Sequence, residues 1–313
     1  MLIVKHTIMS WPTTTESVDI LFTSISNLGR YFLSCGELFT RIGLFIQLAN
    51  LFSKEFQIMK PISIQLYTLR RDVYPEGADL PGVLRTVAEI GYKGVEFAGL
   101  HGYDPKEVRS VLDDLGLKCS SSHCGIPTKD TVAKIAETEL VLGNTKCIGG
   151  FGPDDLKTLD GCKAAAERLM QAAELLKGYG MQCGFHNHWW EFEQKFEDGR
   201  TAYDVLMEEA PAVFSELDTY WTAWGKTDPV DVLKRYGSRI PLLHIKDGML
   251  EQAHPHLAVG DGKMDFPTII GAMDNNVVEW LIVELDAYNG PMLEAVKRSY
   301  EYLTKNGLAV GNK

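Results

Sequence analysis

From residue 61 onward, short runs of β-branched and other apolar residues alternate with longer segments of helical periodicity, and this alternation restricts the fold more than any other feature. Such a succession is typical of a parallel sheet whose strands are joined by crossover helices. Eight segments have strand character: Ile62–Leu66, Gly94–Phe97, Lys118–His123, Thr145–Gly149, Met181–His188, Val213–Asp218, Ile240–Lys246 and Trp280–Glu284. Helical character is found in Leu80–Ile90, Pro105–Leu115, Thr131–Leu142, Ala164–Tyr179, Pro229–Tyr236, Phe266–Asn275 and Met292–Lys305.

The number and spacing of these units predict an α/β protein with a (β/α)8 barrel. Eight strand-and-helix units within about 250 residues match the size of such a barrel. A doubly wound open sheet is the competing interpretation, but it usually has fewer strands and a glycine-rich turn after the first one, and no such turn follows Leu66. We therefore expect two regions, an N-terminal extension at residues 1–58 and the barrel at residues 59–313.

The first 58 residues differ from the rest in having a Thr/Ser-rich opening followed by scattered apolar clusters and no catalytic motif. A secretory signal would instead have one compact apolar stretch after a basic start. We expect an appended extension ahead of a natural start at Met59. An amphipathic helix that covers the barrel or a partner is the alternative.

Charge and cysteine usage exclude several classes of protein. The chain has 31 basic and 42 acidic residues, a formal net charge of −11, which repels phosphate backbones and disfavours nucleic-acid binding. The six cysteines form no C-x-x-C pair, so we expect reduced thiols in the cytoplasm rather than disulfides or a structural zinc site. No apolar run approaches the ~18 residues of a membrane helix.

Polar residues end most of the predicted strands, which is where barrel enzymes place their reactive groups. Strands 5 to 8 end in two imidazoles and two carboxylates, namely His186, Asp218, His244 and Glu284. This mixed set of nitrogen and oxygen ligands suits Mn²⁺, Fe²⁺, Co²⁺, Zn²⁺ or, less well, Mg²⁺. A cation would also offset the repulsion between two carboxylates in one pocket. We therefore predict one divalent metal ion at these strand ends.

Strand alternation places His186 and His188 on one face of strand 5, so either can bind the metal. We favour His186 as the ligand and His188 as a substrate contact. The same parity places Lys246 beside the strand 7 ligand, where its ammonium would hold a substrate oxyanion or act as an acid. Pairing of Lys246 with Asp247 or Glu284 is the alternative interpretation.

Further polar and aromatic groups are expected around the barrel mouth. Glu96 and His123, at the ends of strands 2 and 3, are predicted to bind substrate hydroxyls; a surface carboxylate and a satisfied core histidine are the alternatives. Trp221 is one of four tryptophans after strands 5 and 6 that can stack on sugar rings, with core packing as the alternative. His256 lies in the long loop after strand 7, which we interpret either as a lid that contacts substrate or as an exposed segment.

Taken in order, these motifs resemble the xylose-isomerase-like TIM barrel superfamily of sugar-phosphate isomerases, epimerases and related dehydratases. The resemblance covers residues 60–308. Each motif is weak alone, but their order and intervals are fairly specific. The segments that carry it are Ile64–Arg70, Gly94–Phe97, Phe185–Phe192, Glu216–Trp221, His244–Gly248, Val259–Gly262 and Val283–Asp286.

The resemblance implies one divalent metal ion held by the four strand-end ligands named above. Ketose epimerases of the superfamily usually have glutamate at the position of His186, so symmetric epimerisation is disfavoured. The His-Asn-His sequence on strand 5 looks more like the branch that includes inosose dehydratase. In such enzymes a base removes a proton next to a carbonyl and an acid assists the leaving oxygen. This implies that proton transfer falls to Glu284, Glu191, His123 or Lys246.

We therefore predict a cytoplasmic, metal-dependent isomerase, epimerase or dehydratase that acts on a sugar, keto-sugar or cyclitol by proton abstraction next to a carbonyl. A non-catalytic sugar-binding or partner-subunit barrel is the alternative, and an incomplete metal site would indicate it. The apurinic endonucleases of this superfamily need a histidine where this chain has Trp221, which disfavours a nuclease. We expect neither nucleic acid nor a membrane as partner, and association into a homo-oligomer stays open.

Overall fold

The computed structural model describes residues 59–73, 79–251 and 255–313, so the predictions for residues 1–58 lie outside the described residues. The described part of the chain alternates strands with helices, as the periodicity predicts. Its strands are β1 (Lys60–Gln65), β2 (Gly94–Phe97), β3 (Lys118–His123), β4 (Lys146–Gly149), β5 (Gln182–His186), β6 (Phe214–Asp218), β7 (Leu242–Ile245), β8 (Trp280–Val283) and β9 (Ala309–Val310).

The strands are all parallel, and β1 pairs with both β2 and β8, which closes an eight-stranded barrel. β9 adds to β1 at the start of the barrel, where Ala309 lies opposite Lys60. The predicted (β/α)8 barrel is therefore confirmed.

Helices connect the strands. They are α1 (Arg70–Val73), α2 (Leu80–Ile90), α3 (Pro105–Leu115), α4 (Val132–Leu142), α5 (Leu159–Lys177), α6 (Trp190–Glu193), α7 (Ala202–Glu209), α8 (Thr219–Trp224), α9 (Pro229–Tyr236), α10 (Phe266–Gly271) and α11 (Met292–Lys305). Short 3-10 turns occupy Leu66–Leu69 and Gly237–Arg239. Among these helices, none combines the length and the apolar character that crossing a membrane requires.

The sequence prediction differs from the structure mainly at element ends. Strand β5 ends at His186 rather than His188, because the chain turns there toward α6. Helix α5 begins earlier than predicted, at Leu159, since the Thr158 side chain accepts a hydrogen bond from the Gly161 amide and caps it. Helices α1, α6, α7 and α8 are absent from the sequence prediction. Helices α1, α6 and α8 have six residues or fewer, too few for an apolar period to be visible.

The barrel interior has an apolar lower layer and a polar upper layer. Four side chains from β4, β6, β7 and β8 form the lower layer: Ile148, Phe214, Leu242 and Ile282. Gly184 on β5 leaves room for this layer, because a Cβ at that position would lie 2.2 Å from the ring of Phe214. Since inward positions recur every second residue, the next ones along β6 to β8 are Glu216, His244 and Glu284. Charged groups are thereby gathered at the carboxyl end of the barrel.

Candidate metal centre

The four residues predicted as metal ligands lie together at the carboxyl ends of β5 to β8. Each of His186, Asp218, His244 and Glu284 is buried and offers one ligand atom, and these atoms all lie within 4.8 Å of one another. The strand register brings them there, since Asp218 is directly opposite His244 in the β6 and β7 pair. The sequence thus identified a set of residues that the fold assembles into one buried group able to hold a metal ion.

The chemistry of this group fits a divalent cation. Two imidazoles and two carboxylates are the ligand types that first-row transition ions accept. Oδ2 of Asp218 is buried and has no hydrogen-bond partner among the described residues, although Nζ of Lys246 is 3.1 Å away. A buried carboxylate oxygen without a hydrogen-bond donor is costly unless a cation satisfies it.

Lys246 is the cationic centre of the mouth and is 1% exposed. Its Nζ lies 2.8 Å from Oε2 of Glu284, 2.8 Å from Oδ2 of Asp286 and 3.1 Å from Oδ2 of Asp218. Burial disfavours the ammonium, yet these three carboxylates hold the pKa of Lys246 well above its usual value. Of the two pairings considered as alternatives, that with Glu284 is present. Asp247 instead accepts backbone hydrogen bonds from the following loop.

A second carboxylate layer lies below the first. Oε2 of Glu216 is 2.7 Å from Nε2 of His123, 3.2 Å from Nδ1 of His186 and 3.2 Å from Nε2 of His244. Burial opposes the charge of Glu216, but His244 and His123 hold its pKa well below the usual value. Glu216 was not predicted to be functional. Its two-residue spacing from Asp218, which places both on one face of β6, was the available signal.

Glu96 is completely buried, and protein groups contact both of its carboxylate oxygens. Its Oε1 accepts from Nε2 of Gln65 at 2.6 Å and lies 2.8 Å from Nε2 of His244, while Ser121 donates to Oε2. Burial, reinforced by the charge of Glu216, raises the pKa of Glu96 to about 7. These contacts assign Glu96 to the polar layer inside the barrel, and its predicted role as a hydroxyl-binding group at the mouth stays a prediction.

His123 is the most accessible imidazole of this layer, with a side chain that is 28% exposed. Burial disfavours its protonation, but the charges of Glu96 and Glu216 raise its pKa to about 9. A protonated His123 at the edge of the mouth can donate to a substrate hydroxyl. Its predicted contact with substrate therefore stays open alongside its contact with Glu216.

Glu191, predicted as a catalytic carboxylate, has no contact with the ligand group among the described hydrogen bonds. It is 1% exposed, and its Oε2 accepts a hydrogen bond from the backbone amide of His188 at 2.9 Å. Burial raises the pKa of Glu191 to about 8. The contact stabilises the turn after β5, so the structure favours a supporting role.

His188, predicted to contact substrate, lies just outside β5 with its ring 5.0 Å from that of His186. The ring stacks on Trp190 at 4.1 Å, and its Nδ1 is buried without a hydrogen-bond partner in the described part of the chain. Burial and the nearby charge of Lys246 lower the pKa of His188 to about 4. The imidazole is thus neutral, and Nδ1 is available to a ligand group.

An aromatic wall formed by tryptophans after β5 and β6 lies at one side of the mouth, and the predicted stacking of Trp221 on a sugar ring stays a prediction. The ring of Trp221 lies 4.8 Å from that of Trp189 and 5.2 Å from that of His256, and Nζ of Lys246 is 5.3 Å from its centroid. Nε1 of Trp221 is buried and has no hydrogen-bond partner among the residues that the structure describes. Trp221 therefore both packs beside the metal group and retains an unused donor.

The loop after β7 closes over this wall and is anchored by Asp247. The carboxylate of Asp247 accepts hydrogen bonds from four backbone amides, those of Gly248, Gly260, Gly262 and Met264. His256, predicted to contact substrate from this loop, is 5% exposed, and its Nδ1 accepts from the amide of Asp286 at 3.0 Å. His256 is thus part of the packed mouth rather than an exposed loop residue.

The chain belongs to the xylose isomerase-like TIM barrel family, whose model matches residues 84–306. A similar curated protein is an inosose dehydratase from Geobacillus kaustophilus, 28% identical over 263 residues that cover 66% of this chain and 83% of that one. A rhizopine catabolism protein from Rhizobium meliloti is 24% identical over 296 residues that cover 80% and 89%. A solved sugar phosphate isomerase/epimerase from Parabacteroides distasonis has a TM-score of 0.67 at 27% identity, covering 80% of this chain and 100% of that one.

These comparisons confirm the family resemblance carried by the strand-end motifs. Relatives with the names inosose dehydratase and sugar phosphate isomerase/epimerase place the chain in a family of enzymes. A solved L-ribulose 3-epimerase, at 17% identity and a TM-score of 0.60, shares the fold.

Proposed function

We propose that this protein is a divalent-metal-dependent enzyme that removes a proton next to the carbonyl group of a keto-sugar or keto-cyclitol, with dehydration as the favoured outcome. The observation that carries the proposal is the complete buried group of His186, Asp218, His244 and Glu284 with Lys246 beside it. The inosose dehydratase relatives support a keto-cyclitol as substrate. Epimerisation shares the first step and differs only in the fate of the carbanion.

A divalent ion held by the four ligands would supply Lewis acidity toward a substrate carbonyl oxygen. The other requirements fall on the chain itself. Glu284 is placed to receive the substrate proton on its carboxylate, which Lys246 keeps ionised by holding the pKa of Glu284 well below its usual value despite burial. An ionised carboxylate can accept a proton, and because its low pKa makes it a weak base, the substrate C–H must be acidified by the neighbouring carbonyl group.

Lys246 would stabilise negative charge on the substrate. Its Nζ–H groups converge on the same carboxylates that border the ligand group, so a substrate oxygen entering there meets a fixed ammonium in a water-poor site. Fixed donors of this kind are effective where charge develops during the reaction. Because its pKa is raised, Lys246 is better suited to hold an oxyanion than to give up its proton.

The aromatic wall would hold the apolar face of the substrate ring. Trp221 is beside Lys246, so a ring stacked on the indole has its polar edge toward the ammonium. The unused Nδ1 of His188 and Nε1 of Trp221 are the two buried polar atoms available to substrate hydroxyls on this side. This arrangement fits a polyhydroxylated ring.

The test measures the proton exchange and water loss that the full-length protein catalyses in candidate substrates. The protein is first stripped of metal with a chelator and reloaded with Mn²⁺, Co²⁺ or Zn²⁺. Inososes and keto-sugars are incubated in deuterated water, with exchange followed by proton NMR and water loss by mass spectrometry. We expect metal-dependent exchange that is lost in His244→Ala and in Glu284→Gln. Lys246→Met is measured as a further variant, with Lys146→Met as its matched control. Lys146 is also a buried strand lysine, but it begins β4 at the opposite end of the barrel and pairs with Glu279.

Absence of bound metal after reloading, with folding verified by circular dichroism, would contradict the proposal. That result would favour a sugar-binding or partner-subunit barrel without catalytic activity. Bound metal without exchange on any keto-substrate would contradict the proton-abstraction chemistry but leave the metal site in place.

A further inference from the structure

Glu216 has a position that the proposed chemistry does not explain. It is completely buried on β6, directly opposite His186 in the pairing with β5. Three imidazoles surround its Oε2 at 2.7 to 3.2 Å, while its Oε1 has no hydrogen-bond partner within the described ranges. A buried carboxylate is retained at such a site only when its neighbours compensate its charge.

The two imidazoles shared by both carboxylate layers use opposite ring nitrogens. For His186, Nε2 faces Oδ2 of Asp218 at 3.9 Å and Nδ1 faces Glu216 at 3.2 Å. For His244, Nδ1 is 2.8 Å from Oε2 of Glu284, and Nε2 is 3.2 Å from Oε2 of Glu216 and 2.8 Å from Glu96. Each ring therefore has one nitrogen toward the ligand group and one toward the deeper carboxylates.

A neutral imidazole binds a metal through one nitrogen and carries its proton on the other, and the partner of that proton selects the tautomer. If Nε2 of His186, which faces Asp218, is the ligand atom, the proton of that ring must be on Nδ1. If Nδ1 of His244, which faces Glu284, is the ligand atom, the proton of that ring must be on Nε2. Glu216 is the hydrogen-bond acceptor at Nδ1 of His186, whereas Nε2 of His244 hydrogen-bonds to Oε1 of Glu96 and lies 3.2 Å from Glu216. Without it, His186 has no other carboxylate within 4 Å of Nδ1 among the described ion pairs.

A metal ion bound by Glu216 itself is the competing arrangement. His123, His186, Glu216 and His244 form a second group whose ligand atoms lie within 4.8 Å of one another. Both groups cannot be filled together unless His186 and His244 lose both ring protons and bridge two ions. Each group contains a buried carboxylate oxygen with no hydrogen-bond partner among the described residues, Oδ2 of Asp218 in the outer group and Oε1 of Glu216 in the inner one. Two carboxylates neutralise the charge of one divalent ion, and of the two groups only the outer one has two, which favours the ion there.

We propose that Glu216 is a positioning residue that fixes the tautomer and orientation of His186 for metal binding. This inference rests on the proposed function, because it requires the metal site. Outer carboxylates that hold metal-binding histidines typically contribute 10- to 100-fold to metal affinity. We expect Glu216→Leu to weaken Co²⁺ binding by about that factor, and Glu216→Gln, which retains one accepting oxygen, to weaken it less.

The experiment measures the Co²⁺ dissociation constant by chelator competition and the visible spectrum of the Co²⁺-loaded, full-length protein. Glu139→Gln is the matched control, since Glu139 is another buried carboxylate, which accepts from Asn144 outside the barrel mouth. A merely structural role for Glu216 would lower unfolding stability without changing the affinity or the spectrum. We expect both to change in the Glu216 variants and neither in the control.

Nitrogen-15 NMR of the Zn²⁺-loaded wild-type protein tests the same inference without a substitution. We expect a protonated Nδ1 on His186 and a protonated Nε2 on His244. The opposite tautomer on His186, wild-type affinity in both Glu216 variants, or two ions per chain would overturn the role of Glu216 alone. Failure of the wild-type protein to bind Co²⁺ would overturn the inference together with the proposed function.

Discussion

Replacement of Lys246 by methionine should destabilise the metal-free protein by more than any other single substitution of a lysine among the described residues. Methionine has a similar length and no charge, so the change removes the cation and keeps most of the packing. It leaves Asp218, Glu284 and Asp286 in one mouth without the ammonium that lies 2.8 to 3.1 Å from each of them. Asp218 and Glu284 are buried, and the side chain of Asp286 is 35% exposed.

The magnitude follows from this burial. Removing one partner of a buried ion pair costs about 3–5 kcal/mol, because the remaining charge stays desolvated. Lys146→Met provides the comparison, since Lys146 has a single partner, Glu279, whose side chain is 50% exposed. Solvent screens such a pair, and we expect its loss to cost less than about 1 kcal/mol.

The pH dependence has a definite sign. The folded-state pKa of Lys246 is raised, so its contribution is present below the unfolded value of about 10.4 and is lost as the pH rises through the folded value. The folded-state pKa of Glu284 is lowered, so its contribution is present above about 4.3 and is lost as the pH falls. Burial raises the pKa of Asp218, another partner of Lys246, to about 6, so this carboxylate loses its charge first as the pH falls. The difference between wild type and Lys246→Met should therefore be largest between about pH 6 and pH 10.

The assay is urea unfolding followed by circular dichroism, in chelator, at several pH values. A Lys246→Met protein as stable as Lys146→Met at neutral pH would refute the reasoning, because the three contacts would then contribute no more than one screened pair. A difference that does not shrink in acid would refute the electrostatic cause.

Two further predictions concern groups around the mouth. Gly262→Ala should destabilise the protein by about 1–3 kcal/mol, because the added Cβ would lie 2.1 Å from Oδ1 of Asp247. Equilibrium unfolding measures this change, and an unchanged unfolding midpoint would contradict the described structure of the loop. The pKa of Glu191 is raised to about 8 in the folded protein, above its unfolded value of about 4.3, so stability should fall as the pH rises between these values. Glu191→Gln, whose amide oxygen can still accept from His188, should remove that fall while leaving proton exchange nearly intact. A large loss of exchange would instead restore Glu191 as a catalytic group.

The barrel and its outer polar ring are determined by local sequence patterns. Strand parity and the carboxyl-end rule depend only on residue order, so they identified His186, Asp218, His244 and Glu284 before any contact was known. The same rule selected Lys246. Because these residues end adjacent strands, closure of the sheet was sufficient to bring them together.

The orientation of side chains around the barrel mouth could not be derived from strand parity and the carboxyl-end rule. Glu191 was grouped with the proton-transfer candidates because it follows β5, but α6 directs its carboxylate to the backbone of His188. His188 itself leaves the strand, so strand parity no longer describes its side chain.

The sequence by itself determined the fold and which chemical groups reach the mouth of the barrel. Only the tertiary structure decided which ring nitrogen of His186 and His244 faces which carboxylate, and that Glu216 lies beneath both. The physical reason is that residue order fixes the face of a strand, whereas tautomers, ion pairs and pKa values depend on distances across the barrel between residues far apart in the chain.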